Sequence, residues 1–133
     1  MNRHTVARLL VAFVGVLLCL VGLLHAVVNV RGLQRAAARG EIAERLVPQM
    51  IVNVVFGGAT LFMCGAILVL FAFGLRAPNR TLWSIGLLIG LFLLSTGVAA
   101  YLWEPIPSVL VFSVLGALVC VPLLLWRTDF TKS

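Results

Sequence analysis

Residues Leu9 to Val30 read LLVAFVGVLLCLVGLLHAVVNV, a run with no charge and with two strongly polar side chains, His25 and Asn29, close to its end. No period-two alternation marks it as a half-buried strand. At about 1.5 Å per residue, a helix of 20 or more residues crosses a hydrocarbon core of roughly 30 Å. A helix also satisfies its own backbone hydrogen bonds in lipid, which sets long unbroken apolar runs apart from the alternating strands of a membrane barrel.

Three more segments of this kind follow, at about Leu46 to Leu75, Leu82 to Trp103 and Pro107 to Trp126. Together the four account for most of the 133 residues, which are 62% hydrophobic and only 11% charged, with a mean hydropathy of +1.17. Soluble domains run near 45–50% apolar and about 25% charged. The expectation is an all-α, antiparallel bundle of four transmembrane helices, a single integral-membrane domain over residues 1–133. The connections, Arg31 to Arg45, Arg76 to Thr81 and Glu104-Pro105-Ile106, are too short to hold a soluble domain with its own core.

Arg3 and Arg8 ahead of the first span imitate a secretion signal. Leu24-His25-Ala26 puts a bulky side chain where cleavage needs a small one, and Leu18 before Cys19 is equally poor for a lipoprotein cut, so the span is expected to stay uncleaved. Arg3, Arg8, Arg76, Arg80, Arg127 and Lys132 fall on the side of the two termini, against Arg31, Arg35, Arg39 and Arg45 on the other, where Glu41, Glu44 and Glu104 partly offset them. This bias places both termini in the cytoplasm. Trp83, Trp103 and Trp126, with Tyr101 nearby, mark the span ends as interfacial aromatics do. Nine arginines against one lysine point to a GC-rich bacterial genome, and hence to the bacterial inner membrane.

The net charge of +6 does not imply nucleic acid. The basic residues are short flanks on two membrane faces with no continuous stripe, and the partners they suit are the anionic headgroups of a bilayer. Arg31 to Arg45 is rich in helix formers, with Arg35 and Arg39 one turn apart and Glu41 and Arg45 spaced to pair in the same way. Gly32 and Gly40 are expected to break it into a short interfacial helix, with Leu33 and Ile42 dipping toward lipid. Pro48 suits the first turn of the second span. Glu104-Pro105-Ile106-Pro107 is a rigid corner, which makes spans three and four adjacent and antiparallel. Asn79-Arg80-Thr81 matches a glycosylation sequon, but reads as a helix start.

His25 and Asn29, four apart, share a helix face, as do Gln49 and Asn53 at the start of span two, with Gly57, Thr60 and Cys64 continuing that second face. An antiparallel hairpin brings the two pairs to similar depth, so the four side chains are expected to face one another as an interhelical polar patch. The small residues Gly15 and Gly22, Gly58 and Gly65, Gly86 and Gly90, and Gly97 fall at spacings that let helices approach closely, Gly86-x-x-x-Gly90 within the chain or in a homodimer. As an ionisable side chain inside a span, His25 is also a candidate for a proton, ligand or headgroup role, with simple packing as the weightier alternative.

No residues suggest catalysis, a metal or a cofactor. His4 is expected on the membrane side opposite His25, Cys19, Cys64 and Cys120 stand singly on three spans, and Asp129 lies in the tail, so neither paired haem ligands, a zinc site nor a Ser-His-Asp set is foreseen. The cysteines read as small packing residues. In size and four-span layout the chain is similar to the small multidrug resistance transporters, a family that works as dimers and depends on a glutamate in its first span. Span one here has no carboxylate, so the resemblance ends at architecture.

Three functions fit these residues. A non-catalytic accessory or scaffold protein, acting through a membrane-protein partner or a second copy, is favoured by the glycine seams. A small oligomeric transporter or channel would use His25, Asn29, Gln49 and Asn53 in a polar pathway, but the opposite halves of the spans are almost wholly apolar. An enzyme or sensor that binds a lipid headgroup or quinone at the outer rim would use His25 and the loop arginines as donors.

Overall fold

The computed structural model describes residues 3–74, 79–103 and 105–131, and the long elements in it are all helices. In order they are α1 (Arg3–Ala38), a 3₁₀ turn (Glu44–Leu46), α2 (Val47–Gly74), α3 (Arg80–Trp103), a 3₁₀ turn (Pro107–Val109), α4 (Leu110–Leu125) and the short α5 (Arg127–Thr131). Four stretches are long and apolar enough to cross a membrane, Thr5–Ala38, Glu44–Gly74, Arg80–Trp103 and Pro107–Leu125. Arg76, Glu104 and Lys132, and the side chains of His4 and Asp129, lie outside the described residues.

Each helix starts or stops for a local reason. Asn79 accepts a hydrogen bond at Oδ1 from the Leu82 amide, 3.0 Å, and so caps α3 as its place before the span implied. Pro48 sits in the first turn of α2, where its missing N–H costs nothing. At the far end of α1, Gly40 takes a φ of 72°, its amide donates to the Ala37 carbonyl (2.9 Å), and the Glu41 amide donates to that of Ala36 (3.0 Å). That paired bonding closes the helix with a left-handed glycine.

The expectation of a separate interfacial helix after Gly32 is overturned. α1 runs unbroken through Gly32 to Ala38. One glycine costs a helix only about 1 kcal/mol, and the helix formers from Leu33 to Ala38 outweigh it. Glu41 pairs with Arg39 and not with Arg45, because the reversal at Gly40 removes Glu41 from any helix shared with Arg45.

The chain packs as two compact units, one of residues up to Gly15 together with those from Ile67 onward, the other Val16–Ala66. The first is a four-helix bundle built from the start of α1, the end of α2, α3 and α4, with α5 against it. Its core joins Ala7, Val11 and Val14 to Leu68, Phe71, Leu93, Leu115, Val119, Leu123 and Phe130. Its helices run antiparallel to their neighbours in sequence. Gly74 meets Leu82 and Gly86 meets the Phe71 ring across the α2–α3 pair, while Gly90 meets Gly116 and Cys120, and Gly97 meets Ser113, across α3–α4.

The second unit is a helical hairpin. Leu18 and the glycines 22, 58 and 65 are buried along its seam. Two helices can bury only the stripe along which they touch, and large apolar side chains such as Phe56 (73% exposed) and Val52 cover the rest. Across the four apolar stretches only 22–33% of the most hydrophobic window is buried. Outward apolar surface on this scale suits a non-aqueous surrounding.

Candidate functional site

A Cβ on Gly22 would lie 2.6 Å from the Gly58 carbonyl oxygen and 2.7 Å from the Phe62 nitrogen, and one on Gly58 would lie 2.9 Å from the Ala26 Cβ. The backbones therefore touch along Gly22 and Ala26 on α1 and Gly58 and Phe62 on α2. Cys19 adds a weak thiol bond to the Phe62 carbonyl, 3.5 Å.

This seam fixes where the polar side chains point. Asn53 is five residues before Gly58 and Gln49 nine before it, which at about 100° per residue turns them roughly 140° and 180° away from the contact. Both are exposed, as are His25 and Asn29. The structure brings together only the members of the first pair. Asn29 Nδ2 donates to the His25 carbonyl (2.8 Å) and lies 3.2 Å from His25 Nδ1. Among the described residues no hydrogen bond joins either of them to Gln49 or Asn53. The imidazole instead rests beside the bare backbone of α2, where a Cβ on Gly57 would sit 3.8 Å from His25 Nε2.

The physical reason is a competition between two stripes of α2. The stripe Gln49, Asn53, Gly57, Thr60 and Cys64 could have faced α1, but the stripe through Gly58 and Gly65 allows closer backbone approach and takes the contact. Asn29 and Thr60 then bond within their own helices. Asn29 folds back on its own turn, and Thr60 donates to the Phe56 carbonyl, 2.9 Å.

The seven glycines expected to pack, 15, 22, 58, 65, 86, 90 and 97, are all buried. Gly86 and Gly90 both meet neighbours within the chain, Phe71 on one side and Gly116, Val119 and Cys120 on the other. Gly116 was missed by the sequence reading. A Cβ there would lie 2.5 Å from the Gly90 carbonyl oxygen and the Leu94 nitrogen. Its signal was present as Ser113, Gly116 and Cys120, a small-residue stripe on one face of α4.

Two rim contacts also escaped the sequence reading. Arg8 donates from Nε to the Ala72 carbonyl, 2.9 Å, in the last described turn of α2. Trp83 donates from its indole to the Leu123 carbonyl, 2.8 Å, near the end of α4, while the Arg127 guanidinium lies 5.4 Å from the Trp83 ring centre. A cation or a donor at a helix C-terminus is favoured by the partial negative charge there. Arg8 and Trp83 thus hold helix ends in this unit.

Cys19 and Cys64 are half-buried and Cys120 is buried, all three as free thiols. Cys120 lies 3.8 Å from the Leu87 carbonyl across α3–α4. In the connector, Arg39 and Glu41 form a two-pronged pair, with Nη2 to Oε2 at 3.0 Å. The guanidinium pulls the Glu41 carboxyl below its ordinary range, and the carboxylate raises Arg39.

The class that these features define is an all-α chain with four helices of membrane-crossing length. No family model, curated protein or solved structure matches it.

Proposed function

We propose that this chain is a multi-pass protein of the bacterial inner membrane, with both termini in the cytoplasm, that works by associating with other membrane helices as an accessory or scaffold subunit. The observation that carries this reading is the division between its interior and its surface. Among the described residues no polar or charged side chain is buried, and glycines bring the helix backbones together. The outward faces present large apolar side chains such as Phe13, Phe56 and Leu88. In lipid, association depends on van der Waals fit and not on the hydrophobic effect, so such faces are suited to a partner helix.

Orientation rests on the arginine bias, with Arg3, Arg8, Arg80 and Arg127 among the described residues of the cytoplasmic rim. The test is extraction of the full chain in a mild neutral detergent, with mass measured by light scattering and co-eluting proteins identified. A stable complex with one defined membrane protein, or a defined homo-oligomer, is the expected result. A lone monomer that carries an ion or drug flux in proteoliposomes would overturn the reading in favour of transport.

A further inference from the structure

A charge and a cavity coincide beside Arg8. Thr5, Arg8, Leu9 and Ala12 of α1, with Ala72 and Phe73 of α2, line a half-open recess of about 190 Å³, where one water needs roughly 15 Å³. Arg8 is half-buried there and anchored by its Nε bond to the Ala72 carbonyl. Among the described residues it makes no ion pair, and its Nη1 and Nη2 have no hydrogen-bond acceptor.

A cation held among apolar walls with its terminal donors open is costly unless an anion meets it. The anchoring bond fixes the guanidinium plane, and the two terminal nitrogens form a fork that matches a pair of phosphate oxygens. Thr5, one turn earlier on the same face, adds a hydroxyl to the lining. Leu9, Ala12 and Phe73 supply apolar walls, so the recess offers a polar corner next to a greasy one. Those are the two halves of a phospholipid at the level of its glycerol backbone.

We propose that this recess binds the phosphate group of an anionic phospholipid, with Arg8 as its two-pronged donor. The proposal rests on the reading of the chain as a membrane protein. Free inorganic phosphate offers the same oxygens but has no acyl chain for the apolar walls to cover.

The test uses the full chain, purified in a neutral maltoside detergent and stripped of lipid. Thermal midpoints are read with dioleoyl phosphatidylglycerol, with dioleoylglycerol and with sodium phosphate, and lipid affinity is titrated by native mass spectrometry. Phosphatidylglycerol should raise the midpoint by several degrees, and the other two should not. Arg8→Gln should weaken phosphatidylglycerol binding by about tenfold, the loss of one charge-assisted fork. Because Arg8 also braces the end of α2, Ala12→Leu provides a second variant, which fills the recess and keeps the Arg8 bond, and it should weaken binding to a similar extent. Unchanged affinity in both variants would overturn the site, and stabilisation by sodium phosphate equal to that by the lipid would overturn a lipid ligand. Recovery of the chain from the aqueous fraction without detergent would instead overturn the membrane reading, before any lipid is added.

Discussion

Gly97 and Gly32 are the same residue type in opposite circumstances. A Cβ on Gly97 would lie 2.6 Å from the Ser113 backbone nitrogen, whereas nothing lies within 4 Å of one on Gly32. Gly97→Ala must push α3 and α4 apart and should destabilise the protein by about 1–3 kcal/mol. Gly32→Ala should instead stabilise α1 by roughly 0.5–1 kcal/mol, through helix propensity alone. Thermal midpoints in detergent should move in opposite directions for the two variants. At the connector, the depressed carboxyl of Glu41 makes its contact with Arg39 complete above the ordinary glutamate pKa and lost as pH falls through the lowered one. The pair is exposed, so its effect is local and salt-sensitive. An NMR titration should place the Glu41 midpoint below that of a free glutamate, and Arg39→Gln should return it to the ordinary value.

The helix ends illustrate what could be read in advance. Asn79, Pro48 and Gly40 carry their instructions in their own side chains or backbone freedom, and each ends or begins a helix where the sequence implied. Gly32 misled because a single weak residue cannot stop a helix whose neighbours favour it. The polar patch misled for a different reason. Periodicity identifies which residues share a face, but two competing faces of α2 carried credible signals, and only the packing of Gly58 against Gly22 decides between them. Arg8 and Trp83 bind backbone carbonyls, and carbonyls leave no mark in a sequence. The indole bond ties the start of α3 to the end of α4, so Trp83→Phe should cost about 1 kcal/mol. Amide exchange should then rise in the last turn of α4, where Pro122 has already removed one donor from the ladder.

Viewed whole, the chain was legible in its architecture because length and hydropathy act on entire segments. The expected spans agree with the four apolar helices apart from the extension of α1. Its proposed orientation can be checked directly. In a background where Cys19, Cys64 and Cys120 are replaced by alanine, Ala38→Cys should react with an impermeant maleimide on intact cells, and Thr128→Cys only after the cells are opened. The reverse pattern would turn the protein over in the membrane.

The 36 residues of α1 amount to about 54 Å of helix, more than the roughly 40–45 Å of a bilayer with its headgroups. In a bilayer a helix of this length would exceed the apolar layer, so its final turns, with Arg31, Gln34 and Arg35 on them, would carry their charge past the reach of the acyl chains.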